Sequence, residues 1–282
     1  MQGKYCLVTG ATSGVGEAFA HWLAARGAEL IVTGRNPDKL DALCAQLRAS
    51  NPDTTVHALC ADHLRLQEVA DLAAGLHHLP RLDLLVNNAG LCPGKRSLSP
   101  QGYEAAFTIN HLSHVLLTLR LLPQIRLAHG YIMHVSSSAM GGGFIDLDDL
   151  HGEHWYDGWQ AYANSKLAMT LFSNTLAERI PPEEVRSNAV CPGMVRSNLL
   201  KGHPKFAGQE TALMAASKPP EEAADYLGWM IQDPEVRDLS GCFFSKGFQG
   251  RRALKMGWDR AAAEALWERS LELLGSLRPE AP

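Results

Sequence analysis

The sequence predicts an α/β fold: a doubly wound parallel sheet of about seven strands with helices on both faces. Three observations carry this expectation. Short apolar runs rich in strand formers recur along the chain, as buried parallel strands require. Each is followed by apolar residues at helical spacing, so strands and helices alternate. A glycine turn at Gly10, Gly14 and Gly16 joins the first strand to the first helix. A strand feeding such a turn and then a helix suits a phosphate, because free N–H groups and the helix dipole point at it.

Taken in order, residues 5–9 (Tyr-Cys-Leu-Val-Thr) form the first strand, ended by Gly10. Val15, Ala18, Phe19, Trp22 and Leu23 then recur at helical spacing, and Gly27 closes the helix. Residues 30–33 are the second strand. Asn36-Pro37 has the chemistry of a helix start, with Leu40, Leu43 and Leu47 on the inner face. A third strand over 55–61 precedes a helix carrying Leu66, Val69, Leu72 and Leu76, and residues 82–86 are the fourth strand. Ser99-Pro100 opens the longest helical stretch, to about Leu127. The fifth strand spans 131–135. The helix bearing Tyr162 and Lys166 runs to about Arg179, where Pro181-Pro182 stops it. Residues 185–191 and 241–244 are the sixth and seventh strands, and a terminal amphipathic helix extends the chain from about 251 to 282.

A chain of 282 residues could hold two domains. It shows no repeat, low-complexity tract or linker, so residues 1–282 read as a single domain. The net charge of −4 leaves no basic surplus for a phosphate backbone, so no nucleic-acid partner is expected. His111/His114 and His151/His154 have helical spacing but lack the cysteine or carboxylate company of a metal site, so no metal is expected. Six dispersed cysteines without a C-x-x-C pair suit a reduced compartment, and no signal peptide precedes the first strand, so a cytoplasmic location is expected. The longest apolar run, 115–122, contains Arg120 and is too short to span a bilayer, so no membrane anchor is expected.

The residues at both ends of the candidate site have readable chemistry. Gly10 permits the tight turn, Gly14 a close backbone approach to phosphates, and Gly16 close packing of helix on sheet. The alternative is a glycine turn with no ligand. The second strand ends Thr33-Gly34-Arg35, without the acid that usually meets free ribose hydroxyls. Arg35 can instead pair with a 2′-phosphate through two parallel hydrogen bonds, which points to NADP(H); the alternative is a solvated surface arginine. Tyr162 and Lys166 are four apart and share a helix face. A nearby ammonium is expected to lower the tyrosine pKa from about 10 toward the range useful for acid–base work.

These motifs together resemble the short-chain dehydrogenase/reductase family. Thr9-Gly10-Ala-Thr-Ser-Gly14-Val-Gly16, Asn87-Asn88-Ala89-Gly90, Asn110, Ser136-Ser137-Ser138, Tyr162-Ala-Asn-Ser-Lys166 and Pro192-Gly193 follow one another in the family's order. The resemblance covers nearly the whole chain and implies a Rossmann-type fold. It implies that Gly10, Thr12, Ser13, Gly14, Val15 and Gly16 hold the cofactor, with Asp62 by the adenine, Asn88, Ala89 and Gly90 by the adenosine ribose, and Pro192, Gly193 and Val195 beyond the sixth strand. Asn87 would tie the central strands together. Tyr162 would be the acid–base residue, Lys166 would also bind the nicotinamide ribose, and Asn110 would hold a relay water. Residues 194–219 would be a substrate lid, and the helices near 100–127 and 157–180 could pair in a homodimer.

The serine assignment follows from an insert at 141–155, which resembles that of the retinol dehydrogenase-like branch. No suitable serine lies a dozen residues before Tyr162, and aligning on this branch places the role on Ser137, with Ser138 as the fallback. Phe144, Trp155, Tyr156 and Trp159 could either wall the pocket or form the core of the insert. The function implied is NADP(H)-dependent interconversion of a small-molecule carbonyl and alcohol. The alternative is a catalytically silent NADP(H)-binding regulatory protein, whose usual mark, loss of the Tyr or Lys, is missing. A serine hydrolase is disfavoured because no G-x-S-x-G elbow exists.

Overall fold

A computed structural model describes residues 1–245, 252–254 and 259–278. β1 (Tyr5–Val8), α1 (Gly14–Ala24), β2 (Glu29–Gly34), α2 (Pro37–Ser50), β3 (Val56–Cys60), α3 (Leu66–Gly75) and β4 (Leu84–Asn87) come first. α4 (Ala105–Phe107), a π-helical turn (Thr108–Leu112), α5 (Ser113–Leu127), β5 (Tyr131–Val135), α6 (Gly158–Arg179) and β6 (Arg186–Cys191) follow. Then come α7 (Glu210–Ala216), α8 (Pro220–Gln232), β7 (Phe243–Ser245), β8 (Arg252–Leu254) and α9 (Arg260–Leu274).

The sheet order is β3-β2-β1-β4-β5-β6-β7-β8, parallel throughout except for β8, which runs antiparallel to β7. Val8 pairs with Val32 on one side and Val86 on the other, so the strand order reverses beside β1. Crevices at such a reversal, outside the carboxyl ends of the strands, are where ligands bind in open α/β sheets. Successive strand residues feed opposite cores. Leu7, Ile31, Leu85 and Ile132 pack with α3, α5, α6 and α9, while Val8, Val32, Val86 and Met133 pack with α1, α2 and α8. The helix starts obey local chemistry: Asn36 Oδ1 accepts from Lys39 N at 2.9 Å with Pro37 behind it, and Asp157 Oδ1 accepts from Gln160 N at 2.8 Å.

Three elements depart from the sequence expectation. The long helix does not start at Ser99. Ser99 N donates to Tyr103 O at 2.7 Å, Leu98 and Glu104 form an antiparallel bridge, and helix begins only where Glu104 accepts from Phe107 N at 2.7 Å. α8 was not anticipated; it packs on α1 so closely that a Cβ on Gly228 would collide with Trp22. The chain beyond 251 is not helical from its start, because Arg252–Leu254 pairs with β7; residues 251, 255–258 and 279–282 of this extension lie outside the described residues.

α9 docks on α6. Trp267 stacks on Phe172 at 5.3 Å, the Arg179 guanidinium lies 4.5 Å from the Trp267 ring, and Arg179 also pairs with Glu264. The segment after α9 reaches α5, where Arg120 donates to Leu277 O at 2.9 Å. The α5 and α6 surface that the resemblance offers for pairing between copies therefore carries the chain's own α9.

Candidate active site

The glycine turn is closed by sterics. Gly10 has φ +62°, a region L side chains disfavour, and a Cβ there would lie 2.8 Å from Ala89 Cα. A Cβ on Gly16 would collide with Gly10 O and the Asn88 amide. Asn88 Nδ2 donates to Thr9 O at 2.8 Å and Gly10 O at 3.1 Å, while Thr9 Oγ1 accepts from Asn88 N and Ala89 N. The Asn88 side chain thus holds the turn, and what the stretch Asn88-Ala89-Gly90 presents to a ligand is backbone. Ser13, before α1, is extended and makes no side-chain capping bond. The helix start lacks its usual intramolecular cap, and its N–H groups need acceptors. A cradle without room for a Cβ, ending on an uncapped helix, fits a dinucleotide pyrophosphate.

The remaining cofactor-end residues surround this turn. Thr12 packs against Gly34 at the end of β2, where a Cβ would come within 2.8 Å of it. Arg35 follows, exposed and without an ion pair among the described residues. Asp62 Oδ1 accepts from Leu64 N at 3.0 Å. Pro192 and Gly193 (φ +89°) leave β6. Val195 then bridges Lys218, so the two ends of the 194–219 segment are hydrogen-bonded together, and Ser197 lies against Gly14.

The candidate catalytic residues converge where β5 and β6 end. Tyr162 is 5% exposed and Lys166 3%. Lys166 Nζ lies 5.8 Å from the Tyr162 ring centroid and donates to Val135 O at 2.7 Å. The three serines separate cleanly. Ser136 is buried and its Oγ bonds Lys166 O at 3.0 Å and Thr170 Oγ1 at 2.8 Å. Ser138 is exposed. Ser137, half-buried, caps the 3-10 turn Ser138–Gly142, its Oγ accepting from Ala139 N at 3.2 Å, and lies beside Tyr162, whose pKa it lowers. Asn110 sits in the π turn. Its Nδ2 donates to Leu91 O at 2.9 Å and Ser165 Oγ at 2.8 Å, and its Oδ1 accepts from Leu91 N at 2.8 Å. Both amide protons are therefore committed to protein groups, and what remains for a water is acceptor capacity alone. Asn87 Nδ2 donates to Thr118 Oγ1 at 2.8 Å and His134 Nδ1 at 3.2 Å, joining β4 to α5 and β5.

The electrostatics correct one expectation. Burial pushes the Tyr162 phenol above its ordinary value, opposed by the neighbouring Ser137 hydroxyl; Lys166 is not among the groups that lower it. The reason is that desolvation disfavours the phenolate while the ammonium is directed at Val135 O. Burial also lowers Lys166 to about 8. Cys92 and Cys191, which the sequence gave no reason to single out, flank the pair, and burial pushes the Cys92 thiol up to about 12.

Of the insert aromatics, only Trp159 reaches Tyr162, with ring centroids 5.6 Å apart. The 194–219 segment lies against it: Phe206 meets Trp159 edge-on at 5.3 Å and Lys205 Nζ lies 4.6 Å from its ring. Phe144 and Trp155 are half-exposed and line, with Tyr156, a separate cleft of about 310 Å³ on another face of α6. Tyr156 is tied by its hydroxyl to Glu104 at 2.9 Å. Ser165, which links Asn110 to the backbone of Tyr162, was also missed; its signal is the i, i+3 spacing from Tyr162.

The family model described as short chain dehydrogenase matches residues 4–207. The chain belongs to that family. It is 32% identical over 287 residues to retinol dehydrogenase 13 of Homo sapiens, covering 98% of this chain and 86% of that one. It is also 32% identical to polyprenol dehydrogenase of Mus musculus, covering 97% and 84% respectively. A short chain dehydrogenase from Salmonella enterica serovar Typhi superposes with a TM-score of 0.69 at 27% identity, over 87% of this chain and 96% of that one. The protein is a retinol dehydrogenase-like member of the family and an oxidoreductase acting on CH–OH groups. Among the described residues, no helix is long and apolar enough to cross a membrane and no group of three or more His, Cys, Asp or Glu could hold a metal ion.

Proposed function

We propose that the protein is an NADP(H)-dependent oxidoreductase that interconverts an apolar aldehyde or ketone and its alcohol. The observation that carries this reading is the gathering of Ser137, Tyr162 and Lys166 at the same sheet edge as the glycine cradle. Bound in that cradle, the cofactor supplies a hydride in reduction and accepts one in oxidation. Ser137 Oγ holds the substrate oxygen beside the Tyr162 hydroxyl. Tyr162 donates its proton to that oxygen in reduction and removes it in oxidation. Lys166 orients the nicotinamide ribose, and Asn110 fixes the backbone on either side. Trp159 and Phe206 supply an apolar wall, in keeping with the lipophilic alcohols in the relatives' names. Six free cysteines, five of them buried, suit a reducing compartment such as the cytoplasm.

Tritrating NADPH by fluorescence, with and without a panel of carbonyls, tests the reading. Quenching with turnover supports it, whereas quenching without turnover on any carbonyl leaves a silent cofactor-binding protein. Ser137→Ala is expected to cut turnover by about 10²–10³, the usual effect of removing a donor to a developing oxyanion. Ser138→Ala should stay near wild type, because that side chain faces solvent. Ser136→Ala should lower stability, by about 1 kcal/mol for the lost hydrogen bonding, more than it lowers turnover. Equal losses at Ser137 and Ser138 would count against the assignment.

Arg35→Asp is expected to reverse the NADPH over NADH preference. It removes a charge-assisted contact of about 1.5–3 kcal/mol, or roughly ten- to a hundredfold in affinity, and offers the ribose hydroxyls an acceptor. Binding of both cofactors to wild type and variant gives the ratio. A ratio unchanged by the substitution would reduce Arg35 to a surface charge and remove the main support for NADP(H).

A further inference from the structure

The π turn that carries Asn110 is braced by buried side chains that the chemistry above does not use. Ser113 N bonds back five residues to Thr108 O, so it is not the partner of Ile109 O that a regular helix would provide. Ser113 Oγ takes that place, donating to Ile109 O at 2.8 Å. His63 Nδ1 lies 2.8 Å from the same hydroxyl. Because the hydroxyl proton goes to Ile109 O, the imidazole must be the donor, which fixes the His63 tautomer. The next carbonyl, Asn110 O, accepts from His114 Nδ1 at 3.2 Å. The two imidazoles meet edge-on at 5.3 Å. His63, Ser113 and His114 are at most 5% exposed, and both Nε2 atoms lack a partner among the described residues.

Two buried imidazoles with bare nitrogens are a costly way to fill a core, since apolar side chains would leave nothing unsatisfied. What they supply instead is a fixed position for two consecutive carbonyls. From there a hydrogen-bonded chain leads to the reacting helix: Asn110 Nδ2 to Ser165 Oγ at 2.8 Å, and Ser165 Oγ to Tyr162 O at 2.7 Å. Asn110 Oδ1 and Lys166 Nζ also crowd the same side of Gly90, 3.5 and 3.6 Å from where its Cβ would be. We propose that His114, together with the His63–Ser113 pair, is a positioning unit that holds the Asn110 turn and, through Ser165, sets Tyr162 against Ser137. This rests on the catalytic reading given above.

Comparing His114→Leu with His114→Asn tests it, because Asn keeps an N–H donor near the Nδ1 position. His114→Leu is expected to lower kcat roughly ten- to a hundredfold, the effect of a small misplacement at a reacting centre. KM for the carbonyl and NADPH should change by no more than about twofold, and His114→Asn should recover most of the lost kcat. Amide exchange gives a reading independent of activity. Leu91 N donates to Asn110 Oδ1, so its protection should fall in His114→Leu and return in His114→Asn, with the β1 amides unaffected. Unchanged kcat and unchanged Leu91 protection in His114→Leu would overturn the proposal, as would equal losses in the Leu and Asn variants. If the wild type turned over no carbonyl, the catalytic reading would fail while Leu91 exchange still decided the bracing. Should His114→Leu not fold, Ser113→Ala, which removes the donor to Ile109 O, is read by the same two measurements.

Discussion

Tyr162→Phe is expected to lower turnover by about 10²–10⁴, the usual contribution of a positioned acid or base, with NADPH affinity nearly unchanged. The substitution keeps the ring that packs against Trp159 and Lys166 and removes only the hydroxyl beside Ser137. Tyr156 and Tyr131 are committed elsewhere, to Glu104 and Asn188 respectively. The direction of the Tyr162 shift adds a second reading. Burial keeps the hydroxyl protonated through neutral pH, so carbonyl reduction should be sustained there. Alcohol oxidation needs the phenolate and should rise as pH increases toward the alkaline side. Steady-state rates of the Phe variant in both directions check this, and turnover within a fewfold of wild type would remove Tyr162 from the chemistry.

The sheet was legible because its strands are buried on both faces and punctuated by turn residues. Residues 5–9, 30–33 and 131–135 lie within a residue of β1, β2 and β5. Elements set by long-range contacts were not legible. α8 depends on Trp22 meeting Gly228, more than two hundred residues apart, and β8 depends on pairing with β7 rather than on local propensity. The false start at Ser99 has the same origin: Ser-Pro is a good local helix opening, but here Ser99 N is bound by Tyr103 O. At the site, motif spacing was enough to bring Tyr162, Lys166, Ser137 and the glycine turn together. It could not foresee that Asn88 and Asn110 turn their amides inward, nor that burial would outweigh Lys166 at Tyr162. Both depend on neighbours distant in sequence and on desolvation, which no local pattern encodes.

Four of the twelve histidines share one physical state, and acid should expose it. His63, His111, His114 and His134 are each at most 5% exposed. Burial lowers His63 to about 4 and His111 and His134 to about 3, and holds His114 well below its ordinary value. Their tautomers are fixed by their partners: His111 donates to Ser270 Oγ, whose own proton goes to Leu266 O, and His134 accepts from Asn87. An unfolded histidine titrates near 6.5. Below that pH the unfolded chain takes up protons that the folded chain excludes, so stability falls as pH falls, until the folded values near 3–4 are reached. At pH 5 each such imidazole costs about 2 kcal/mol relative to neutral pH, so the three with folded values near 3–4 together cost about 6 kcal/mol. That is comparable to the whole stability of an ordinary domain, about 5–15 kcal/mol. Glu104 works in the opposite sense, because burial raises its carboxyl and protonation relieves it, but it is one group against four. Denaturant midpoints measured at pH 7.5, 6.5, 5.5 and 5 should therefore drop steeply below 6.5, with net proton uptake on unfolding. A midpoint that stays flat to pH 5 would mean that these imidazoles tolerate charge in the fold. The neutral donors assigned to His63 and His114 at the Asn110 turn would then fail with it.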